Sequence, residues 1–199
     1  MQKRKAVIKR KTRETDICVE LNIDGSGKSK IKTGIGFLDH MLTLFSKHGL
    51  FDLSIKAKGD LEVDRHHTNE DVGICLGQAF LKALGSKKGI SRYGFSFVPM
   101  DESLAKARVV LDFSGRPSLY FKKSAAIKDV SNGYSIQDTK EFLKAFVTNS
   151  GINMHVDIIR GEDTHHVIES VFKALAKAVS SAVVINKRIK GVPSTKGKL

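Results

Sequence analysis

A five-residue pattern, His-His-x-x-Glu, occurs twice in this chain, as His66-His67-Thr-Asn-Glu70 and as His165-His166-Val-Ile-Glu169. The same series of elements leads to each copy. His40-Met-Leu-Thr-Leu-Phe45 begins a helix, an alternating stretch from Leu53 to Ala57 follows, and the first motif opens a second helix. Glu141-Phe-Leu-Lys-Ala-Phe146, the stretch from Ile152 to Ile158 and the second motif repeat that order. His40 and His66 are 26 positions apart and Glu141 and His165 are 24 apart, a difference that a short loop absorbs. Self-similarity on this scale predicts one supersecondary unit used twice. The expected units are 1–91 and 92–199, packed together as one compact subunit.

Period-two alternation at Ile17, Val19, Leu21 and Ile23, at Leu53, Ile55 and Ala57, at Ala107, Val109, Leu111 and Phe113, and at Ile152, Met154, Val156 and Ile158 predicts half-buried strands. Helical patterning covers Phe37 to His48, Asn69 to Leu84, Lys140 to Asn149 and Val167 to Val184. Strands with one apolar face, and helices to cover it, define a two-layer α+β architecture.

At 199 residues and 41% hydrophobic content, the chain has enough apolar side chain for one substantial core or two small ones packed together. A net charge of +13 attracts polyanions, and a small phosphorylated substrate exploits the same field. The cations are spread along the chain apart from a basic opening and a basic close. Trp is absent and aromatics total 7%, so stacking positions for RNA are poorly supplied, and neither a nucleic acid nor a membrane is expected as partner. Two cysteines, Cys18 and Cys75, allow neither a disulfide framework nor a Cys-x-x-Cys zinc site, which suits a reducing, cytoplasmic setting. The charged amino terminus and the lack of an apolar run near ~18 residues lead us to expect a soluble, unprocessed protein.

On a helix, the glutamate of each motif lies beside both histidines, three and four positions away. Adjacent helical residues are rotated by ~100°, so the two imidazoles diverge and suit two different metals better than one. Two motifs supply His66, His67, Glu70, His165, His166 and Glu169. His40 and Glu141, at matching repeat positions, bring the set to eight ligands for two metals. Four nitrogen and oxygen ligands per ion, without sulfur, leave two octahedral positions open and favour manganese over structural zinc. Dominance of imidazole over carboxylate argues against a dinuclear hydrolase. His48 has no counterpart in the repeat and reads as structural. His155 falls on the strand face opposite Ile152, Met154, Val156 and Ile158.

Further segments stand out: Arg13-Glu-Thr15, Thr33-Gly-Ile-Gly-Phe-Leu-Asp-His-Met41, Asp64-Arg-His-His-Thr-Asn-Glu-Asp71, Pro99-Met-Asp-Glu102, Ser114-Gly-Arg-Pro117, Phe172-Lys173 and Pro193-Ser-Thr-Lys-Gly197. Together with the two motifs they are spread along the chain, which resembles the imidazoleglycerol-phosphate dehydratase family over nearly its whole length. The resemblance implies a duplicated fold, each half a four-stranded sheet covered on one face by two helices. It also implies a metal-dependent 24-subunit shell with sites between subunits and two Mn2+ per active site. Its manganese ligands fall on His40, His66, His67, Glu70, His165, His166 and Glu169. Where many members carry histidine, this chain has Glu141, and carboxylate oxygen also coordinates manganese.

For the substrate phosphate, the resemblance points to Arg92, Arg116, Ser194, Thr195 and Lys196, with Lys173 nearby. Guanidinium forks, a hydroxyl and an ammonium suit that anion. The implied activity is that of a hydro-lyase in histidine biosynthesis, dehydrating D-erythro-imidazole glycerol phosphate to imidazole acetol phosphate. The proton removed is not activated by a carbonyl, so metals on the ring nitrogens are expected to assist loss of the hydroxyl. Glu14 is carried over as the catalytic base and substrate contact. Asp101, Glu102, Asp64 and Asp71 are candidates for orienting a hydroxyl or a ligand histidine.

Overall fold

The computed structural model describes residues 4–101, 103–123, 130–131 and 133–199. In the first half, strands β1 (Lys5–Lys11), β2 (Thr15–Asn22) and β3 (Ser29–Lys32) precede α1 (Gly36–Gly49), β4 (Asp52–Gly59) and α2 (His66–Leu84). In the second, β5 (Tyr93–Met100), β6 (Ser103–Asp112) and β7 (Ser118–Lys123) precede a short ribbon of β8 (Val130–Ser131) and β9 (Tyr134–Ser135). Helix α3 (Ile136–Ser150), β10 (Asn153–Ile158) and α4 (Thr164–Val183) complete that half. The two sheets run β1-β2-β4-β3 and β5-β6-β10-β7. In each, three strands are antiparallel and the last pairs parallel with its neighbour. The repeat in the sequence is a repeat in topology.

Alternation sets the register as expected: Ile17, Val19 and Leu21 of β2 and Leu53 and Ile55 of β4 turn inward, as do Val109 and Leu111 of β6 and Met154, Val156 and Ile158 of β10. Helices α1 and α2 cover the first sheet and α3 and α4 the second. The helix pairs then meet across the halves, α2 on α3 and α1 on α4. Buried Phe45, Phe80 and Phe146 sit at this junction, with ring centroids 5.7 to 6.4 Å apart. The order of layers is sheet, helices, helices, sheet, and one apolar core runs through both halves.

Each helix begins one to four residues before its apolar periodicity does. On α3 and α4 the added first turns are held by side-chain caps. Ser135 and Asp138 form a reciprocal capping box on α3, and Asp163 accepts from the His166 backbone N–H on α4 (3.1 Å). Asp64 accepts from the His66 N–H on α2 at the same distance. In both His-His pairs a backbone N–H is therefore held by a preceding aspartate.

Strand β5 inverts the usual pattern. Its inward face carries Gly94, because a Cβ there would lie 1.9 Å from the Ala178 carbonyl oxygen of α4. Its aromatics face out: Tyr93, Phe95 (71% exposed) and Phe97. In register with Phe95 lie Val110, His155 and Tyr120, so an apolar row crosses the whole outer face. Tyr120 and His155 stack with centroids 4.5 Å apart.

The loop from β2 to β3 is tied to β4 by Asp52, whose carboxylate accepts from Ser26 N–H (2.8 Å), Lys28 N–H (3.2 Å) and Asn22 Nδ2 (3.1 Å). These donors, the Ser26 amide foremost, hold its carboxyl down at about 2. A depressed acid stabilises the fold fully above its unfolded value, near ~3.9, and that stabilisation is lost as pH falls through the folded value. We expect Asp52→Asn to unfold at lower urea than the parent at pH 7. The gap between the two should shrink below pH ~4 and close near pH 2, as read from urea denaturation across pH.

Candidate active site

Helix α1 is anchored at its start by Asp39, which accepts from the Thr33 backbone N–H (2.8 Å) and hydroxyl (2.6 Å). The next residue, His40, faces α4 from the other half of the chain. His40 Nε2 lies 3.5 Å from Glu169 Oε2, and His165 Nε2 lies 3.3 Å from the same oxygen. One donor atom from each of His40, His165 and Glu169 falls within 4.8 Å of the others, the one group of three or more potential metal ligands among the described residues. Phe37 packs edge-on to His165 at 5.1 Å and limits its ring.

Glu169 is only 7% exposed. Burial raises its carboxyl, but the hydrogen bond and charge of Lys173 (Nζ to Oε1, 2.6 Å) together with His40 outweigh that and leave it below its ordinary value. Lys173 thus holds one oxygen of Glu169 and leaves the other toward the two imidazoles. Half-buried His48 stays out of the cluster; burial and the charges of Lys173 and Lys177 lower its pKa.

On the facing pair α2 and α3, His66 Nε2 lies 3.2 Å from Glu70 Oε2. Asn69 fixes the pair by donating to the Asp138 carbonyl (2.9 Å) and accepting from buried Tyr134 (2.7 Å). Adjacent imidazoles diverge as the helical rotation requires: the rings of His66 and His67 are inclined at 75° and those of His165 and His166 at 82°. Glu141, the repeat counterpart of His40, accepts from Gln137 Nε2 (2.6 Å) and lies 3.7 Å from Lys144 Nζ. His40 thus faces Glu169 of the opposite half, whereas Glu141 is held by partners on its own helix.

Glu14 sits in the β1–β2 turn, where Thr12 Oγ1 accepts from the backbone N–H groups of Glu14 (3.1 Å) and Thr15 (2.9 Å). Asp71 buttresses that turn, accepting from Thr15 Oγ1 and Arg10 rather than from a ligand histidine. Glu14 Oε2 lies 3.9 Å from His67 Nδ1. The closer partner of that nitrogen is Asp60, at 3.0 and 3.2 Å, a residue that sequence reasoning passed over. Its hydrogen bond is the main cause of a raised His67 pKa. Glu14 and Asp60 line the same open hollow of about 310 Å³. A Gly-Asp pair at the end of β4, six residues before the motif, was the available signal. Asp101 is exposed with φ +46, and Glu102 lies outside the described residues.

The residues expected to hold phosphate cluster at another edge. Arg92 makes a bidentate pair with Asp112 (2.6 and 2.9 Å) and donates through Nη1 to the Pro193 carbonyl (2.8 Å), which brings Ser194, Thr195 and Lys196 beside it. Ser194 Oγ accepts from the Lys196 N–H (3.1 Å), closing a turn. The segment then runs to Leu199, which packs on Gly115 next to exposed Arg116. Lys173 is the exception, since it sits on Glu169. Lys87, not foreseen, is buried near Gly151 with its pKa lowered by burial.

Comparison with known proteins gives this arrangement a family. Residues 33–179 match the family described as imidazoleglycerol-phosphate dehydratase. Enzymes of that name from Thermoanaerobacter pseudethanolicus and Caldanaerobacter subterraneus subsp. tengcongensis are 58% and 59% identical over 196 residues, 98% of this chain and all of theirs. The Staphylococcus aureus dehydratase structure covers 91% of this chain and all of its own, at 39% identity and TM-score 0.80. The Pyrococcus furiosus structure, solved in complex with (S)-C348, covers 96% and 100% at 36% identity and TM-score 0.81. The chain is therefore a carbon–oxygen lyase on a duplicated α+β scaffold. It belongs to the imidazoleglycerol-phosphate dehydratase family, whose place is in histidine biosynthesis.

The Lys173–Glu169 pair carries a prediction. Lys173→Met leaves a buried carboxylate without its cation, at a cost of about 1–3 kcal/mol. For a chain of this size that lowers the melting temperature by roughly 2–4 °C per kcal/mol. Adding Glu169→Gln to Lys173→Met should restore most of the loss in thermal melts of metal-free protein at pH 7.

Proposed function

We propose that this chain dehydrates D-erythro-imidazole glycerol phosphate to imidazole acetol phosphate, with two manganese ions per active site. The observation that carries the reading is the convergence of His40 from one half with His165 and Glu169 from the other. The donor set fits the ion. A divalent metal about 2.1 Å from each ligand holds neighbouring donors roughly 3.0–3.4 Å apart, close to the observed 3.3 and 3.5 Å. All three donors are nitrogen or oxygen, which suits manganese. By the repeat, Glu141, His66 and Glu70 would supply the corresponding group. His67 and His166, rotated away from their neighbours, serve the other ion in each case.

When bound, manganese would supply Lewis-acid polarisation of the substrate's ring nitrogens. The chain's own groups do the rest. Arg116, Arg92, Ser194, Thr195 and Lys196 anchor the phosphate. The carbon–oxygen bond beside the ring breaks and hydroxide leaves, the proton on the neighbouring carbon passes to Glu14, proton and hydroxide depart as water, and the resulting enol tautomerises to the ketone. The expected setting is cytoplasmic. Cys18 and Cys75 are unpaired, and no helix among the described residues is long and apolar enough to cross a membrane.

Self-association into a 24-subunit shell is part of the same proposal. The row Phe95, Val110, His155 and Tyr120 on an open sheet face favours contact between copies. The diverging imidazoles favour metal sites shared between subunits.

Three outcomes test the reading. Chelator-treated enzyme should form no product and shift to smaller species by light scattering, with manganese restoring both. Glu141→Ala should lower occupancy at one of the two ions in an anomalous-scattering map, while Glu141→His keeps both. Glu14→Gln should lower kcat by about 10²- to 10⁴-fold, the usual worth of a general base, with manganese content unchanged.

A further inference from the structure

Glu14 and His67 come from opposite ends of the first half, and a single residue touches both. Asp60 directly follows β4. Its backbone N–H donates to the Glu14 carbonyl (3.1 Å), and its own carbonyl accepts from the Val63 N–H (2.8 Å). Held on both sides, its carboxylate accepts from His67 Nδ1 at 3.0 Å. The approach of β4 to α2 depends on Gly59, where a Cβ would lie 1.9 Å from Thr68 Oγ1, one residue beyond His67.

We propose that Asp60 is a positioning residue that holds His67 in the tautomer whose Nε2 is free to ligate a metal ion and keeps Glu14 clear of that ring. The proposal rests on the metal reading above. A carboxylate can only accept, so its partner nitrogen carries the proton and the other ring nitrogen carries the lone pair. Glu14, at 3.9 Å from the same Nδ1, is beyond hydrogen-bond distance and is the nearest alternative acceptor. Without Asp60, Glu14 would close on the ring, and the carboxylate needed at the substrate's carbon would be tied to a metal ligand. In the second repeat the residues directly after β10 are Ile159 and Arg160.

The test compares Asp60→Ala and Asp60→Asn with the parent. In the Asp60→Ala crystal structure we expect either a turned His67 ring or a Glu14 carboxylate within hydrogen-bond distance of Nδ1. Manganese binding, followed by the electron paramagnetic resonance of the free ion, should weaken at one of two sites by about 10- to 100-fold, as losses of groups supporting a metal ligand do. Asparagine still accepts a hydrogen bond and should recover most of that affinity. The melting temperature of the metal-free protein should be unchanged. An alanine variant with His67 and Glu14 in place overturns the proposal. So does an alanine variant that binds manganese like the parent, or one whose lost affinity comes with a lowered metal-free melting temperature. A parent that binds no manganese would refute the metal reading itself, and the positions of Glu14 and His67 would then decide the role of Asp60.

Discussion

The structure depends on apolar burial between its two helix layers. Each sheet has one inward face, and each is covered by two helices whose far sides are also apolar. Those far sides find cover only against the helices of the other half, so α1 meets α4 and α2 meets α3. Phe45 and Phe80 from the first half close on Phe146 from the second. This contact joins the halves and also brings His40 to the motif of the opposite half.

Charge then sorts the two helix pairs. On α1 and α4, imidazoles face a buried carboxylate whose second oxygen is held by Lys173, so the group closes through attraction within the chain. On α2 and α3, His66 lies against Glu70, while Glu141 is engaged by Gln137 and Lys144 of its own helix. The two halves share a fold and a motif, yet their electrostatics differ. Lys173 has no counterpart after Glu70, where Ile74 occupies the matching place.

Much of this was legible in the residues. Alternation at Ile17 to Leu21 and at Met154 to Ile158 located buried strand faces, because a half-buried strand repeats every two residues. The helix starts were read late because periodicity registers only apolar contacts, whereas Ser135, Asp138 and Asp163 extend the helices with polar caps. On β5, for which no strand was read, Tyr93, Phe95 and Phe97 point outward, since α4 approaches too closely for any side chain at position 94. Asp60, and the pairing of Lys173 with Glu169, went unread for a related reason. A carboxylate or an ammonium gives no periodic signal, and its partner is set by where the backbone ends up.

By itself, the sequence determined the duplication, the α+β class and the types of side chain available at each motif. These follow from local spacing, which acts over a few residues and survives in a linear string. Only the tertiary structure decided that His40 joins His165 and Glu169 across the halves, that Lys173 serves Glu169, and that Asp60 stands between Glu14 and His67. Those pairings join residues from separate elements, and they arise from how closely the elements pack and from which charges the packing leaves face to face.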